Sequence, residues 1–137
     1  MRVLFDTNII LDLLLDREPF SKGAGELFSK VEAGEVSGFI CATAVTTVYY
    51  LASKVVGPTR AKQQVRSLLS LLEVASVNRS VLEASLESEF DDFEDAVVHE
   101  AARQVDADAI VTRDVEDFRR ASLPTYSCEE LLTILRA

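Results

Sequence analysis

Apolar residues gather in short blocks at five places along this chain, and recur at helical spacing between them. Residues 2–6 carry the first block, Val3-Leu4-Phe5, and read as a buried strand. In residues 7–15 the apolar positions are Ile9, Ile10, Leu13 and Leu14, one face of a helix. Pro19 opens the next segment, and a second helix over 20–33 is stopped by Gly34. Residues 37–42, Ser-Gly-Phe-Ile-Cys-Ala, form the second strand-like block. Thr43 is placed to cap a helix that runs to Val56 and breaks at Gly57-Pro58. Val65, Leu68, Leu69 and Leu72 mark a helix over 59–72, and a short strand over 73–77 follows. Asn78 or Ser80 can cap a helix through Val81, Leu82 and Leu86, and Asp91 or Asp92 one through Ala96, Val97, Ala101 and Ala102. Strands at 108–112 and 124–126 precede Ser127-x-x-Glu130, a capping box that opens a last helix with Leu131, Leu132 and Leu135.

Strands that alternate with helices predict a parallel sheet covered on both faces. With right-handed crossovers this becomes a three-layer α/β/α sandwich around a mainly parallel sheet of about five short strands. No repeat or linker divides residues 1–137, so one domain is expected.

Composition narrows the chemistry. No apolar run reaches membrane-spanning length, and the N-terminus lacks signal-peptide character. Cys41 and Cys128 fit reduced thiols, so a cytoplasmic protein with no membrane contact is expected. His99 is the single histidine, which removes His-rich zinc sites; it reads as a partly exposed helix residue. Five glycines, none suitably spaced, exclude a phosphate-cradling glycine loop. A net charge of −9 argues against simple electrostatic binding of nucleic acid, but not against a metal-dependent nuclease, whose site must itself be acidic.

Three carboxylates stand at informative positions. Asp6 ends the first strand, where open α/β sheets bind ligands. Asp114 follows the 108–112 strand, and Asp95 lies one turn into the helix before it. Asp91 and Asp95, four apart, would share a helix face. Carboxylates packed together repel unless a cation neutralises them, and Mg²⁺ or Mn²⁺, hard ions that favour oxygen, suit the task. Such a cage activates water and screens a phosphate, so phosphodiester hydrolysis is the expected reaction. Each residue taken singly has a plainer role: Asp6, Asp91 and Asp92 as helix caps, Asp114 as a turn residue, Asp117 as the cap of a short turn ending at Phe118.

Phe5-Asp6-Thr7-Asn8 with Leu11-Asp12, then Phe93-Glu94-Asp95-Ala96, then Ile110-Val111-Thr112-Arg113-Asp114 with Asp117-Phe118, give the chain a resemblance to the PIN-domain family. The ordered set covers nearly the whole chain and is similar to the VapC-type toxins of toxin–antitoxin pairs. The resemblance implies an endoribonuclease dependent on Mg²⁺ or Mn²⁺, an RNA substrate, an antitoxin partner and a homodimer. It carries Asp6, Asp95 and Asp114 over as catalytic, metal-binding carboxylates, with Asp117 as a weaker fourth. Thr112 and Asn8 would orient the ligands or water, and Arg113 would reach a phosphate or remain a solvated surface residue.

One departure stands out. The family carries an acid early in the helix after the second strand, and here Thr47 takes that position. No Asp or Glu occurs between Glu35 and Glu73 to replace it. A hydroxyl supplies no charge, so metal affinity should fall, and a catalytically weakened module that binds RNA or protein becomes the alternative. Lys54, Arg60, Lys62 and Arg66 give the 54–72 stretch a local positive charge that would track an RNA backbone or merely face solvent. Tyr49 and Tyr50 would stack a base, line a subunit interface or pack in the core. A haloacid-dehalogenase-type phosphatase needs a second Asp where Asn8 stands, and a receiver domain needs an acidic pair after the first strand.

Overall fold

The computed structural model describes residues 1–137. Its five strands are β1 (Arg2–Phe5), β2 (Ser37–Cys41), β3 (Glu73–Ala75), β4 (Ala109–Val111) and β5 (Thr125–Tyr126). They pair in the order β3-β2-β1-β4-β5, and every pairing is parallel. Near-continuous apolar runs such as Val3-Leu4-Phe5 and Ala109-Ile110-Val111 are the composition a sheet covered on both faces demands. β1 occupies the centre, with Leu4 opposite Phe39 on one side and Ile110 on the other.

Seven helices cover this sheet: α1 (Thr7–Leu14), α2 (Ser21–Glu32), α3 (Ala42–Val56), α4 (Pro58–Leu71), α5 (Arg79–Glu87), α6 (Phe93–Gln104) and α7 (Cys128–Arg136). From β1 the chain steps outward to β2 and β3 through α1 to α4, then crosses back to β4 through α5 and α6. Right-handed crossovers in opposite directions put these two helix sets on opposite faces. The packing agrees: α1 lies against α2 and α3, α3 against α4 and α2 against α7, while α5 pairs with α6, which spans β2, β3 and β4. The three-layer sandwich is therefore present, with a sheet that is wholly rather than mainly parallel.

Local chemistry sets several boundaries. Gly57, at φ 86°, takes the left-handed turn that separates α3 from α4, and Pro58 opens α4 where its missing N–H is harmless. A Cβ at Gly38 would lie 2.5 Å from Leu72 Cδ2 and 3.2 Å from Phe5 and Val31 side-chain atoms, so a side chain there would push these buried neighbours aside. Ser127 and Glu130 close both halves of the capping box that opens α7. Asn78 caps α5 through Val81 N–H, and Asp92 caps α6 through Asp95 N–H.

Four expectations need correction. Thr43 is not the cap of α3; Cys41 is, without a side-chain bond, and Thr43 sits inside the first turn. The strand over 73–77 ends at Ala75. Leu82 and Leu86 lie on the outer face of α5, which buries only Val81 and Ser85. His99 is buried, 4% exposed, rather than half in solvent. Its Nε2 accepts the Ser122 N–H at 3.0 Å, and the Phe90 ring lies 5.0 Å from its own. Burial lowers its pKa below the usual 6.5, more than the neighbouring Glu100 raises it.

Candidate active site

The centre of the sheet is also its topological switch point. From β1 the connections leave towards β2 on one side, and β4 arrives on the other, so the loops after β1 and β4 diverge and open a crevice at the strand carboxyl ends. Asp6 is the first residue beyond β1, and Thr112, Arg113 and Asp114 follow β4. The Asp6 amide still donates to Val111 O at 3.0 Å, so the sheet itself fixes where this carboxylate begins.

A hydrogen-bond lattice joins the two loops. Thr112 Oγ1, fully buried, donates to Asp6 Oδ2 at 2.8 Å. The same oxygen accepts the Asp114 N–H at 3.0 Å and Asn8 Nδ2 at 3.3 Å. Asn8 Nδ2 also reaches Asp114 Oδ2 at 3.1 Å, and Asn8 Oδ1 accepts the Arg113 N–H at 3.2 Å. Asp6 Oδ1 accepts the Thr7 N–H at 2.8 Å, so this residue is both the cap of α1 and a member of the crevice. The two readings of Asp6 are thus one geometry: a helix N-terminus that turns its capping carboxylate towards the cleft.

The cleft has a volume of about 620 Å³. Asp6, Asn8, Thr47, Asp95, Arg113 and Asp114 all line it, with Arg17, Phe93 and Glu94 beside them. Asp95 comes from the first turn of α6, on the opposite face of the sheet from α1. Thr47 is exposed, and its hydroxyl turns back to Thr43 O at 3.4 Å, so position 47 borders the cleft without offering it charge. Asp117, in a 3-10 turn over Val115–Phe118, is exposed and outside the lining, yet close enough to repel Asp6 and Asp95.

Electrostatics marks the crowding. Burial raises the pKa of Asp6, against the bonds from Thr112 and Thr7, and the charges of Asp114 and Asp117 raise it further. Asp95 is pushed up to about 7, first by burial and then by repulsion from Asp92, Asp6, Asp117 and Asp114. A hard divalent ion would relieve this repulsion, and an all-oxygen donor set suits one. No three His, Cys, Asp or Glu side chains stand close enough to form a ready-made cage. An open, all-oxygen set of this kind fits a hard divalent ion that keeps several of its own waters.

Not every expected residue converges. Arg60, Lys62 and Arg66 lie exposed along α4. Arg60 lines a separate cleft with Leu13, Leu14 and Phe28, away from the carboxylates. Asp91 precedes α6 instead of sharing a face with Asp95, and pairs with Arg119 at 3.0 Å. Tyr50 is exposed on α3 with Lys54 Nζ over its ring, and Tyr49 is half-buried.

A family model described as PIN domain matches residues 2–116. The chain belongs to the PIN-domain family. Among solved structures, this PIN domain is similar to a chain of a toxin–antitoxin complex from Klebsiella pneumoniae, at 26% identity and a TM-score of 0.66, covering 85% of this chain and 90% of that one. It is similar in fold to the FitAcB structure from Neisseria gonorrhoeae, at 16% identity and a TM-score of 0.72, covering 93% and 98%. A sarcin-ricin-loop-cleaving toxin of Mycobacterium tuberculosis aligns at 14% identity and a TM-score of 0.65, covering 79% and 86%. No curated protein matches the chain.

Two residues of the PIN-domain cleft, and one buried behind it, carry no role that the sequence motifs assign. Phe93, 47% exposed, is an apolar ring on the wall of an acidic cleft. Arg17 lines the cleft from the turn after α1. Asp12 is fully buried, held by Arg17 and Arg113. A signal for the last was available: Asp12 stands three residues after Ile9, on the apolar face of α1, where a lone carboxylate requires a partner.

Proposed function

We propose that this PIN domain is a metal-dependent endoribonuclease and the toxin of a toxin–antitoxin pair. The observation that carries the reading is the meeting of Asp6, Asp95 and Asp114 on one cleft, with the pKa values of Asp6 and Asp95 raised. Family membership supports a nuclease, and the likeness to a chain of the Klebsiella toxin–antitoxin complex supports the toxin role. No helix is long and apolar enough to cross a membrane. The proposed substrate is RNA and the proposed location the cytoplasm.

Asp6, Asp95 and Asp114 are the residues that would hold Mg²⁺ or Mn²⁺, with Asp117 adding charge nearby. When bound, such an ion supplies Lewis acidity towards water and towards the phosphodiester. The protein's own part is positioning. Thr112 and Asn8 lock Asp6 and Asp114 in one orientation, so neither carboxylate must reorganise to receive a cation. The crevice admits a single strand and holds its backbone beside the acids. The protein is proposed to act as a homodimer, held silent by its antitoxin.

Purified protein freed of any partner would be incubated with structured RNA and Mg²⁺ or Mn²⁺, with EDTA, and beside Asp6→Asn. Cuts that need the metal and vanish in the folded variant are expected. A specific observation favours a second reading: Thr47 leaves the α3 wall without charge. If folded protein binds RNA without cutting it under any metal, the chain is a PIN-like binding module. Light scattering and co-purification with the product of an adjacent small gene test the dimer and the antitoxin.

A further inference from the structure

Asp12 is a fully buried carboxylate gripped from two sides. Arg17 Nε donates to its Oδ1 at 2.9 Å, and Arg113 Nε stands 2.9 Å from its Oδ2. Both arginines line the acidic cleft, with side chains 38% and 33% exposed. Arg17 is tied further by an Nη2 bond to Asn8 O at 3.2 Å, and the Arg113 guanidinium lies 4.0 Å over the Phe20 ring. Asn8 anchors the Arg113 backbone as well, through its N–H. The two side chains are thus held by a carboxylate, a carbonyl and an aromatic face.

The arrangement is informative because it works against the local field. The cleft also holds Asp6, Glu94, Asp95 and Asp114, and Arg113 is the immediate neighbour of Asp114 in the chain. A free guanidinium there would fold onto those carboxylates and compete with any cation for them. Arg17 Nε instead donates to Asp12 Oδ1, and Arg113 Nε stands in an ion pair beside Oδ2, which receives no hydrogen bond. One buried negative charge against two positive ones leaves a net positive spot on the rim of a negative cleft. Both Nη groups of Arg113 and Nη1 of Arg17 make no hydrogen bond within the chain. Free guanidinium donors in a fixed fork match the oxygens of a phosphate.

Position adds a direction. A second cleft, of about 410 Å³, is lined by Phe20, Ser127 and Glu129 and meets the first at Arg113 and Asp114. Arg113 therefore stands on the ridge between two adjoining clefts. A strand that continues from one to the other crosses this guanidinium.

We propose that Arg17 and Arg113 form a phosphate seat for the RNA backbone beside the reacting bond, and that Asp12 is the positioning residue that keeps both arginines off the cleft carboxylates. The inference rests on the ribonuclease reading for its substrate. It adds the residues that hold the strand and explains a buried charge that the carboxylate site does not use.

The test is equilibrium binding of a single-stranded RNA oligonucleotide to Asp6→Asn protein, followed against KCl concentration in the presence of EDTA. Each backbone contact adds about 0.7 to the slope of log affinity against log salt for a single strand. Arg17→Gln and Arg113→Gln, placed in that background, should each lower the slope by about 0.7 and raise Kd roughly tenfold, as lost charged hydrogen bonds do. Arg113→Lys should keep the slope and lose part of the affinity, because a point charge cannot bridge Asp12 and a phosphate at once. Asp12→Asn, if its circular dichroism shows it folded, should behave like both arginine losses together. Arg79→Gln, on exposed α5, is the control expected to change nothing. Slopes that match the control in both arginine variants overturn the seat, even if wild type cuts RNA or an acidic peptide binds there. Lowered slopes in a protein that never cuts RNA uphold the seat and sink only the nuclease reading.

Discussion

Thr112 Oγ1 donates a 2.8 Å hydrogen bond to Asp6 Oδ2 across 106 residues of sequence. The two residues follow β4 and β1, which are neighbours in the sheet, so the register of one strand pair sets the distance between them. The hydroxyl also accepts from Asp114 N–H and Asn8 Nδ2. One buried oxygen atom thereby fixes three cleft residues.

Thr112→Val keeps the shape and removes that atom. It leaves the Asp114 N–H without its acceptor, at a cost of about 1–3 kcal/mol. Denaturant unfolding should show this loss, and calorimetry should show weaker Mn²⁺ binding. Wild-type stability and metal affinity together would mean that the lattice is incidental.

Asp95 makes stability depend on pH in a defined direction. In the fold it keeps its proton up to about 7, against an ordinary value of 3.8. Between those values the folded state binds the extra proton, so the stabilisation is full below about pH 4 and fades as pH rises through 7. His99 works the other way: its lowered pKa stabilises the fold above about 6.5 and the benefit is lost as pH falls below that. Metal-free Asp95→Asn should therefore melt higher than wild type at pH 8 and no higher at pH 4. Mg²⁺ should raise the wild-type melting temperature more at pH 8 than at pH 5. A metal shift that is the same at both pH values would show that the ion does not engage the raised carboxylates.

Position 47 borders the cleft, so a carboxylate placed there faces the other acids. Thr47→Glu should tighten Mn²⁺ binding by about tenfold, roughly 1.4 kcal/mol, and raise any cleavage rate. Calorimetric titration reads the first effect. Unchanged affinity would place the ion out of reach of α3.

Phe93 offers its ring to the cleft from the start of α6. Stacking of an unpaired base is worth about 1–3 kcal/mol by alanine substitution. Phe93→Ala should weaken single-stranded RNA binding by that amount and leave the salt dependence untouched, because no charge is lost. Unaltered RNA affinity in the folded variant would assign the ring to another role.

The sequence alone determined the architecture. Apolar blocks such as Val3-Leu4-Phe5 and Ala109-Ile110-Val111, separated by helical periods and by Gly57-Pro58, admit little besides a parallel α/β sandwich, because strands covered on both faces have no polar side to show. It also determined which carboxylates to watch, since Asp6 and Asp114 fall just past strand ends that must share one edge of a parallel sheet. Caps were legible where a side chain supplies them, as at Asn78, Asp92 and Ser127. Thr43 misled because Cys41 ends its strand and begins α3 with no side-chain cap at all.

Only the tertiary structure decided what lies beneath and between. His99 is buried because the 119–122 segment folds over α6, and no local pattern records which loop will cover a helix face. Arg60, Lys62 and Arg66 are off the carboxylate cleft because α4 packs beside α3 and against β3, the edge strand furthest from β4, a matter of strand order rather than of charge. Asp12, Arg17 and Arg113 become one unit because β4 docks beside β1 and carries residue 113 back to the first helix. Side chains a hundred residues apart meet through strand pairing and burial, and those long-range choices are made by the packed core as a whole.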